Sequence, residues 1–314
     1  MTRAPALPPL GFGAAPIGNL FRAVSDEDAI GAVEAAWAAG IRYFDTAPYY
    51  GLGLAETRLG DALARHAGEP HLVSTKVGKR LVEAGSHRSA GLVDGHWALD
   101  RAGEWVHDYS RDGILATLEG SMRRLRRDRI DFVYIHDPEA HLDQVERETA
   151  PALAALRDEG VISGFGVGTS SSATARRLGE STELDVIMIA GRWTLLDRDA
   201  SALLDWATGE GLPIVAAAPF NSGLLARAWP PDDARFEYSS AEPRMLALAR
   251  ELARACVRHG AALPEAALQF PARHPAVTSV VVGMASEAEV VAAIAAAAAH
   301  LSPELWEELE GIVR

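Results

Sequence analysis

The feature that most constrains the fold of this chain is a regular alternation of short apolar runs with longer amphipathic stretches. Runs rich in β-branched and aromatic residues lie at 10–17, 41–46, 71–77, 130–136, 164–169, 184–190, 212–218 and 277–283. Helical patterns follow them at 26–39, 54–66, 111–127, 145–159, 172–180, 199–210, 243–259 and 286–299. Near-continuous apolar strands are typical of a parallel sheet that is buried on both faces. Eight strand–helix units over 314 residues predict one domain, residues 1–314, folded as an α/β (β/α)8 TIM barrel.

An open, doubly wound sheet is the structural alternative. Such a sheet usually carries the phosphate-binding turn G-x-G-x-x-G after its first strand, and "LGFGAAPIGN" lacks the third glycine at the required place. This difference favours the barrel. Residues 78–110 form the longest stretch without a clear period, and they predict a long loop at the C-terminal face of the barrel.

Composition narrows the functional classes. The formal net charge of −13 argues against nucleic acid as a partner, because phosphate contacts need clustered Lys and Arg. The single cysteine, Cys256, allows no intrachain disulfide and favours a reducing, cytoplasmic location. The first residues lack the apolar core of a signal peptide, and the alanine-rich run 290–300 is too short to span a bilayer, so no membrane partner is expected. The oligomeric state stays open.

Polar residues stand where three successive predicted strands end. Asp45 ends the strand at 41–46, with Tyr49 and Tyr50 in the turn after it. Lys76 and His136 end the next two strands. Each residue alone is equally well explained as a helix cap or a surface charge. Because the C-terminal ends of barrel strands meet at one rim, we expect the three to converge, with Asp45 paired to Lys76.

This combination favours proton transfer to or from an oxygen atom. A lysine ammonium near a tyrosine lowers the pKa of the phenol, and an aspartate keeps that ammonium charged. A histidine can orient a carbonyl oxygen. The sequence shows no clustered metal ligands and no nucleophile with a base of its own, so we expect no metal site. Hydride transfer to or from a nicotinamide cofactor fits this combination best.

Six segments resemble the aldo-keto reductase family, over essentially the whole chain. "FDTAPYYG", "STKVG" and "YIHDP" are similar to its active-site signatures, and "GFGVGTSS", "AAAPFNSGLLA" and "VVVGMASEAEV" to its later cofactor segments. "AAPIGNLF", "AGRWTLLD" and "FNSGLLA" further resemble the subgroup that includes L-fucose (D-threo-aldose 1-) dehydrogenases and pyridoxal 4-dehydrogenase. The resemblance implies a barrel and a catalytic tetrad of Asp45, Tyr50, Lys76 and His136.

The same resemblance implies which residues bind the cofactor and the substrate. The cofactor set is Gly13, Ala14, Asp45, Thr169, Ser170, Phe220, Asn221, Ser222, Gly223, Leu224, Gly283, Met284, Ser286 and Glu289. The substrate set is Phe21, Tyr49, His136 and Trp105. Apart from the resemblance, the loop 78–110 offers candidates for sugar hydroxyls: Ser86, His87, Asp94, His96 and Asp108. Trp97 and Trp105 are candidates for stacking on the substrate ring, with anchoring of the loop in the barrel mouth as the equal alternative for both.

The chain departs from the family pattern around the cofactor. Many members carry a Ser-Asn pair where this chain has Gly168 and Thr169, a glutamine where it has Ala190, and an aromatic residue where it has Ala217. The hydroxyls of Thr169 or Ser170 are expected to replace part of the lost hydrogen bonding, and Trp193 is a candidate for ring contact.

The last cofactor segment bears on the choice of dinucleotide. The Lys and Arg that hold the adenosine 2′-phosphate in NADP-dependent members are replaced by Gly283 and Glu289, which predicts NAD as the preferred cofactor and NADP as the alternative. An arginine from another loop, such as Arg227, is the competing source of a phosphate contact.

NAD preference predicts the direction of the reaction. The resemblance implies oxidation of an aldose or related alcohol at C1 to a lactone, with Tyr50 as general base. The alternatives are an NADPH-dependent reductase of small aldehydes or ketones, a pyridoxal 4-dehydrogenase, and a non-catalytic barrel that binds nucleotide as a regulator.

Overall fold

Eight parallel strands close into a barrel in the computed structural model, which describes residues 4–82, 92–99 and 103–313. The strands are β1 (Leu10–Gly13), β2 (Tyr43–Asp45), β3 (Leu72–Val77), β4 (Ile130–His136), β5 (Ile162–Thr169), β6 (Val186–Ala190), β7 (Ile214–Ala217) and β8 (Val277–Gly283). Each strand pairs with its neighbours in chain order, and β8 closes on β1 with Gly283 opposite Gly13. The predicted (β/α)8 barrel is therefore confirmed, and the open sheet is excluded.

Helices surround the barrel. They are α1 (Asp26–Ala38), α2 (Leu54–Leu63), α3 (Arg111–Leu125), α4 (Ala150–Asp158), α5 (Ser172–Ser181), α6 (Ser201–Glu210), α7 (Pro243–Arg258), α8 (Leu263–Gln269), α9 (Glu287–Ala298) and α10 (Pro303–Val313). Short helical turns lie at Pro16–Gly18, Ala64–His66, Leu142–Gln144, Asn221–Gly223 and Pro271–Arg273. All eight predicted helical patterns correspond to helices, whereas α8 and α10 were not predicted.

The predicted helix 145–159 begins with a π-helical turn, Val145–Thr149, before α4. Pro151, in the first turn of α4, has no backbone N–H, and its ring would clash with the carbonyl four residues earlier in an α-helix. The wider turn avoids that clash. Other helix starts follow the usual capping chemistry: the hydroxyls of Ser25, Ser110 and Ser286 accept hydrogen bonds from the backbone N–H three residues later.

Apolar side chains fill the space inside the barrel and outside it. An inner cluster comprises Tyr43, Phe132, Tyr134, Val186, Met188, Val215 and Val281, which come from alternate positions of five strands. A larger cluster packs the strands against the helices, and another joins α7, α8 and α10. The barrel interior is thus a packed core, in which the hydroxyl of Tyr43 forms hydrogen bonds with those of Ser74 and Tyr134.

The loops at the C-terminal ends of the strands contain short antiparallel pairs. Lys79–Val82 pairs with Glu104–His107, Leu92–Val93 with Trp97–Ala98, and Arg235–Phe236 with Ser239–Ser240. The segment 78–110, expected to be a loop without regular structure, therefore contains strands. Within the described ranges no single helix is long and apolar enough to cross a membrane, although α9 and α10, bent by 105°, pass that test together.

Candidate active site

A buried ion pair occupies the rim where β2 and β3 end. Lys76 Nζ lies 2.7 Å from Asp45 Oδ2 and donates a second hydrogen bond of 2.9 Å to the carbonyl of Thr46. Ser74 Oγ donates to Asp45 Oδ1 at 2.7 Å. Asp45 is 3% exposed and Lys76 2% exposed. The predicted pairing of Asp45 with Lys76 is present, and Ser74 is a partner that the sequence reasoning missed.

Tyr50 lies directly above this pair. Lys76 Nζ is 4.8 Å from the centre of the Tyr50 ring, and no described residue hydrogen-bonds to the Tyr50 hydroxyl. The position of the ring depends on Gly51, whose φ of 61° is in the left-handed region. A Cβ on Gly51 would stand 2.3 Å from the carbonyl oxygen of Gly18, so only glycine lets the two turns approach this closely.

His136 completes the group from the end of β4. Its ring is 5.9 Å from that of Tyr50, at an interplanar angle of 90°. Burial, reinforced by the ammonium groups of Lys79 and Lys76, lowers the pKa of His136 well below its usual value. The imidazole is therefore neutral at physiological pH, and Nδ1 has no hydrogen-bond partner in the part of the chain that is described. Nε2 makes no hydrogen bond to a described residue, although a carboxylate oxygen of Asp137 lies 3.5 Å from it.

The ionisation of Tyr50 differs from the expectation. Burial, followed by the Asp45 carboxylate, raises the pKa of Tyr50 well above its usual value, whereas proximity to Lys76 was expected to lower it. The reason is geometric: the Lys76 ammonium faces the ring rather than the hydroxyl, and Asp45 at 2.7 Å already balances its charge. The protein alone keeps Tyr50 as a protonated phenol.

A second ion pair, Lys79 with Asp137, was missed by the sequence reasoning. Lys79 Nζ lies 2.6 Å from Asp137 Oδ2, and the same oxygen is 3.5 Å from His136 Nε2. Two signals in the sequence could have revealed this ion pair. Asp137 directly follows His136 in "YIHDP", and Lys79 stands three residues after Lys76 in "STKVGK".

The mouth of the site is lined by aromatic rings from the segment 78–110. The hydroxyl of Tyr49 donates to Asp94 at 2.9 Å and lies 3.1 Å from His96 Nε2, and Trp105 Nε1 donates to Asp94 at 2.6 Å. Trp97 is buried, with its ring 5.8 Å from that of Tyr50. Predicted substrate residues Tyr49 and Trp105 are thus brought together here.

Three other candidates of the segment 78–110 have different outcomes. Asp108 is not available for sugar hydroxyls, because Arg80 and Ser110 occupy both of its oxygens. Ser86 and His87 lie outside the described residues.

Phe21 reaches the same mouth from the loop after β1. Its backbone N–H donates to the carbonyl of His96 at 2.7 Å. Its ring lies 6.0 Å from that of Tyr238 and 4.6 Å from the guanidinium of Arg235. Tyr238 stands at the tip of the hairpin 235–240 and also lies 5.5 Å from His96. Tyr238 was not predicted, because its distance in sequence from Phe21 gives no signal.

The ends of β5, β6 and β7 form a row of small residues: Gly168, Ala190 and Ala217. The Thr169 hydroxyl donates to Glu139 and accepts from the N–H of Ser171, so of the two predicted hydroxyls only that of Ser170 has no partner among the described residues. Trp193 does not supply the expected ring contact. Its ring packs on Phe270 at 5.1 Å and on His274, and its N–H donates to Pro271.

The turn after β7 has the backbone of a ligand-binding loop. Asn221 and Ser222 have φ values of 46° and 58°, and Gly223 has 95°. Strained left-handed residues of this kind concentrate at functional sites. Phe220 has a φ of −94°, so the step from Phe220 to the left-handed Asn221 changes hand, as in the backbone concavities that bind anions. The buried Oδ1 of Asn221 has no hydrogen-bond partner within the described ranges. The predicted set Phe220, Asn221, Ser222, Gly223 and Leu224 therefore fits a dinucleotide diphosphate.

The ends of β1 and β8 adjoin this turn. Gly13 and Gly283 are paired in register, and a Cβ on Gly283 would stand 2.9 Å from Pro16. Ala14 and Met284 are buried, and the N–H of Ala14 donates to the carbonyl of Asp45 at 2.8 Å. Ser286 caps α9.

Glu289 follows Ser286 in the first turn of α9. One of its carboxylate oxygens accepts from the N–H of Ala285 at 2.7 Å, and the other lies 3.1 Å from Arg22 Nη2. Arg22, which was not predicted, is therefore the arginine that contacts this carboxylate.

Proton transfer is the chemistry that this arrangement supports. A phenol, a neutral imidazole and a buried ammonium–carboxylate pair meet beside a row of small residues. The described part of the chain contains no group of three or more His, Cys, Asp or Glu side chains that could hold a metal ion.

The chain belongs to the aldo-keto reductase family, because the model of the Aldo/keto reductase family matches residues 9–314. It is accordingly an oxidoreductase, and enzymes of this family use nicotinamide cofactors. The resemblance seen in the sequence motifs is confirmed.

Individual relatives agree with this assignment. The chain is 44% identical over 309 residues to D-threo-aldose 1-dehydrogenase of a Pseudomonas species, covering 97% of this chain and 93% of the relative. It is 35% identical over 323 residues to pyridoxal 4-dehydrogenase of Microbacterium luteolum, covering 97% and 94%. The holo form of an aldo-keto reductase from Bacillus halodurans shares the fold, with a TM-score of 0.78 at 24% identity over 97% of this chain and 92% of that one.

Proposed function

We propose that this protein is an NAD-dependent dehydrogenase that oxidises an aldose at C1 to the lactone. The observation that carries the proposal is the convergence of Tyr50 and His136 over the buried Asp45–Lys76 pair. The similarity to D-threo-aldose 1-dehydrogenase supports an aldose as the substrate. The similarity to pyridoxal 4-dehydrogenase makes pyridoxal the second candidate.

Each residue of the proposed tetrad has a distinct role. Tyr50 takes the proton from the C1 hydroxyl as general base, and His136 Nε2 donates a hydrogen bond that holds the reacting oxygen. Lys76 supports the Tyr50 ring from below, with its ammonium 4.8 Å from the ring centre, and Asp45 keeps Lys76 charged and in place. When bound, oxidised nicotinamide accepts the hydride at C4, and its positive charge lowers the pKa of an adjacent phenol.

The cofactor would lie along the strand ends from β5 to β8. Ser170 and the row of small residues would border the nicotinamide, and the turn 220–224 would hold the diphosphate. Glu289 supports NAD over NADP, because a carboxylate repels a 2′-phosphate but accepts a hydrogen bond from a ribose hydroxyl. The ion pair with Arg22 fixes the position of the Glu289 carboxylate. It also engages Arg22, the one described cation in contact with this carboxylate.

The test is the substitution Tyr50→Phe, measured with NAD and a panel of aldoses. Loss of the phenol should lower kcat at least ~100-fold, as is typical for loss of a general base, while dinucleotide binding followed by tryptophan fluorescence is retained. Tyr49→Phe is the matched control: it removes the neighbouring hydroxyl, bonded to Asp94, and should change KM more than kcat. Unchanged turnover in Tyr50→Phe would refute the assignment.

A further inference from the structure

The Lys79–Asp137 ion pair lies against His136, and the proposed proton transfer does not use it. Asp137 Oδ2 is shared between Lys79 Nζ at 2.6 Å and His136 Nε2 at 3.5 Å. No described residue donates a hydrogen bond to the other oxygen, Oδ1. An ionised carboxylate has about four acceptor sites, so this oxygen keeps its acceptor capacity beside the group that would hold the reacting oxygen.

The two members of the pair differ in accessibility. The side chain of Lys79 is only 10% exposed, and its ammonium lies under the rings of Tyr49 at 4.6 Å and Trp105 at 5.6 Å. The side chain of Asp137 is 40% exposed. The ammonium is therefore covered by aromatic rings, whereas the carboxylate faces the mouth of the site.

The backbone holds Asp137 in one orientation. Its φ is 45°, a left-handed value that non-glycine residues seldom adopt and that concentrates at functional sites. Its N–H donates to the carbonyl of Gly168 at 2.9 Å, and its own carbonyl accepts from the Tyr109 hydroxyl at 2.9 Å. These bonds fix the direction of the side chain before any substrate arrives, which lowers the cost of ordering it on binding.

We propose that Asp137 Oδ1 accepts a hydrogen bond from the substrate hydroxyl on the carbon next to the reacting one, so that Asp137 selects α-hydroxy substrates such as aldoses over simple aldehydes and alcohols. The inference rests on the proposed function, in which His136 Nε2 holds the reacting oxygen. The oxygen atom on the adjacent carbon then lies beside Nε2, on the side where Asp137 stands. An analogue that lacks this hydroxyl loses a hydrogen bond to a charged group, which is stronger than a bond between neutral groups, and the 40% exposed carboxylate then binds water instead.

The test uses Asp137→Asn and two matched substrate pairs. One pair is an aldose and its 2-deoxy analogue, oxidised with NAD, and the other is glyceraldehyde and propanal, reduced with NADH. Asparagine is well tolerated at left-handed φ, so the backbone is kept. Lys79 will orient the amide oxygen towards itself, which leaves the amide nitrogen, a donor only, facing the substrate.

The wild-type protein should prefer the hydroxylated member of each pair. Asp137→Asn should lower kcat/KM for that member about 10- to 100-fold, the range for losing a hydrogen bond to a charged group, and lower it less than about 3-fold for the analogue. Equal losses for both members would overturn the proposal and would mean that Asp137 acts only through His136. A wild-type protein without any preference would overturn it as well.

Two further variants separate the contribution of Asp137 from those of Lys79 and of a general loss of charge. Lys79→Gln keeps the carboxylate and should keep the preference, so a lost preference in Lys79→Gln would assign hydroxyl recognition to Lys79 instead. Asp185→Asn is the matched control, because Asp185 is a partly exposed carboxylate paired with Arg157 at 3.0 Å and directly precedes β6 at the opposite end of the barrel. It should leave the ratio within each pair unchanged.

The two substrate pairs also distinguish the inference from the proposed function. Reduction of glyceraldehyde without oxidation of any aldose would contradict the proposed aldose dehydrogenase and still test Asp137. Turnover of aldoses with equal rates for the 2-deoxy analogues would support the proposed function and contradict the role of Asp137. Turnover of neither pair would contradict both.

Discussion

Replacing Asp45 by asparagine should separate what the buried ion pair does for stability from what it does for chemistry. The substitution keeps the shape of the side chain and removes its charge. Lys76 then keeps two neutral acceptors, the new amide oxygen and the carbonyl of Thr46 at 2.9 Å, but loses its counter-charge in a site where it is 2% exposed. Breaking a buried pair leaves an uncompensated charge, so the free energy of unfolding should fall by about 3–5 kcal/mol.

The same substitution should move the ionisation of Tyr50 in a defined direction. After burial, the Asp45 carboxylate is the largest cause that raises the pKa of Tyr50. Without that charge the pKa of the phenol should fall. Oxidation requires the deprotonated phenol, so the residual rate of Asp45→Asn should rise to its plateau at lower pH than that of the wild type, even though the protein is less stable.

The assay combines equilibrium unfolding in urea with initial rates of aldose oxidation over a pH series. Ser74→Ala is the matched control, because it removes a 2.7 Å hydrogen bond to the same carboxylate, together with a 3.0 Å bond to the Tyr43 hydroxyl, and keeps the charge. It should cost about 1.5–3 kcal/mol, as expected for a hydrogen bond to a charged group, and leave the pH profile in place. A loss of stability in Asp45→Asn no larger than in Ser74→Ala would refute the electrostatic argument. An unshifted profile would refute the link to Tyr50.

Three further expectations concern other charges. Burial lowers the pKa of His136 and raises that of Tyr50. The rate of oxidation should therefore rise steadily from about pH 6 to about pH 10. An inflection near pH ~6.5 that disappears in His136→Gln would contradict this expectation. Glu289→Gln releases Arg22 and should raise the affinity for NADP relative to NAD about tenfold in fluorescence titrations, whereas an unchanged ratio would place the adenosine phosphate elsewhere. Arg58→Lys should lower the free energy of unfolding by about 3 kcal/mol, because the nearly buried guanidinium donates four hydrogen bonds to the segment 17–26 and forms an ion pair with Asp26 at 2.7 Å. Denaturation identical to wild type would show that these contacts do not matter.

The strands were predictable because burial on both faces leaves a signal in the sequence itself. Each of the eight predicted runs contains or overlaps a barrel strand, and the observed ends differ by a few residues at most, apart from the run 10–17, where β1 ends at Gly13. The helices α8 and α10 escaped prediction because α8 is short and because neither follows a strand in the repeating pattern. The hairpins in the segment 78–110 have strands of two to four residues, too short for a period to appear.

In the candidate site, too, some positions were predictable from the sequence and others were not. The positions of Asp45, Lys76 and His136 follow from topology, because the end of a parallel strand in a barrel has a fixed place at the rim. Contacts between loops have no such rule. Arg22 and Glu289 form an ion pair although 267 residues separate them in the sequence. Trp193 lies three residues after the end of β6, yet its ring packs on Phe270.

The two ion pairs at the site have a common electrostatic consequence for Tyr50 and His136. Asp45 with Lys76 and Asp137 with Lys79 each bring opposite charges within 2.7 Å, so together they add no net charge next to Tyr50 and His136. In such surroundings burial decides both remaining ionisations, and it favours the neutral phenol and the neutral imidazole. In the proposed reaction, the base for alcohol oxidation would therefore form when a positive charge enters the site. Oxidised nicotinamide would bring that charge and reduced nicotinamide would not, so the same neutral residues would suit Tyr50 to be a base with one form of the cofactor and an acid with the other.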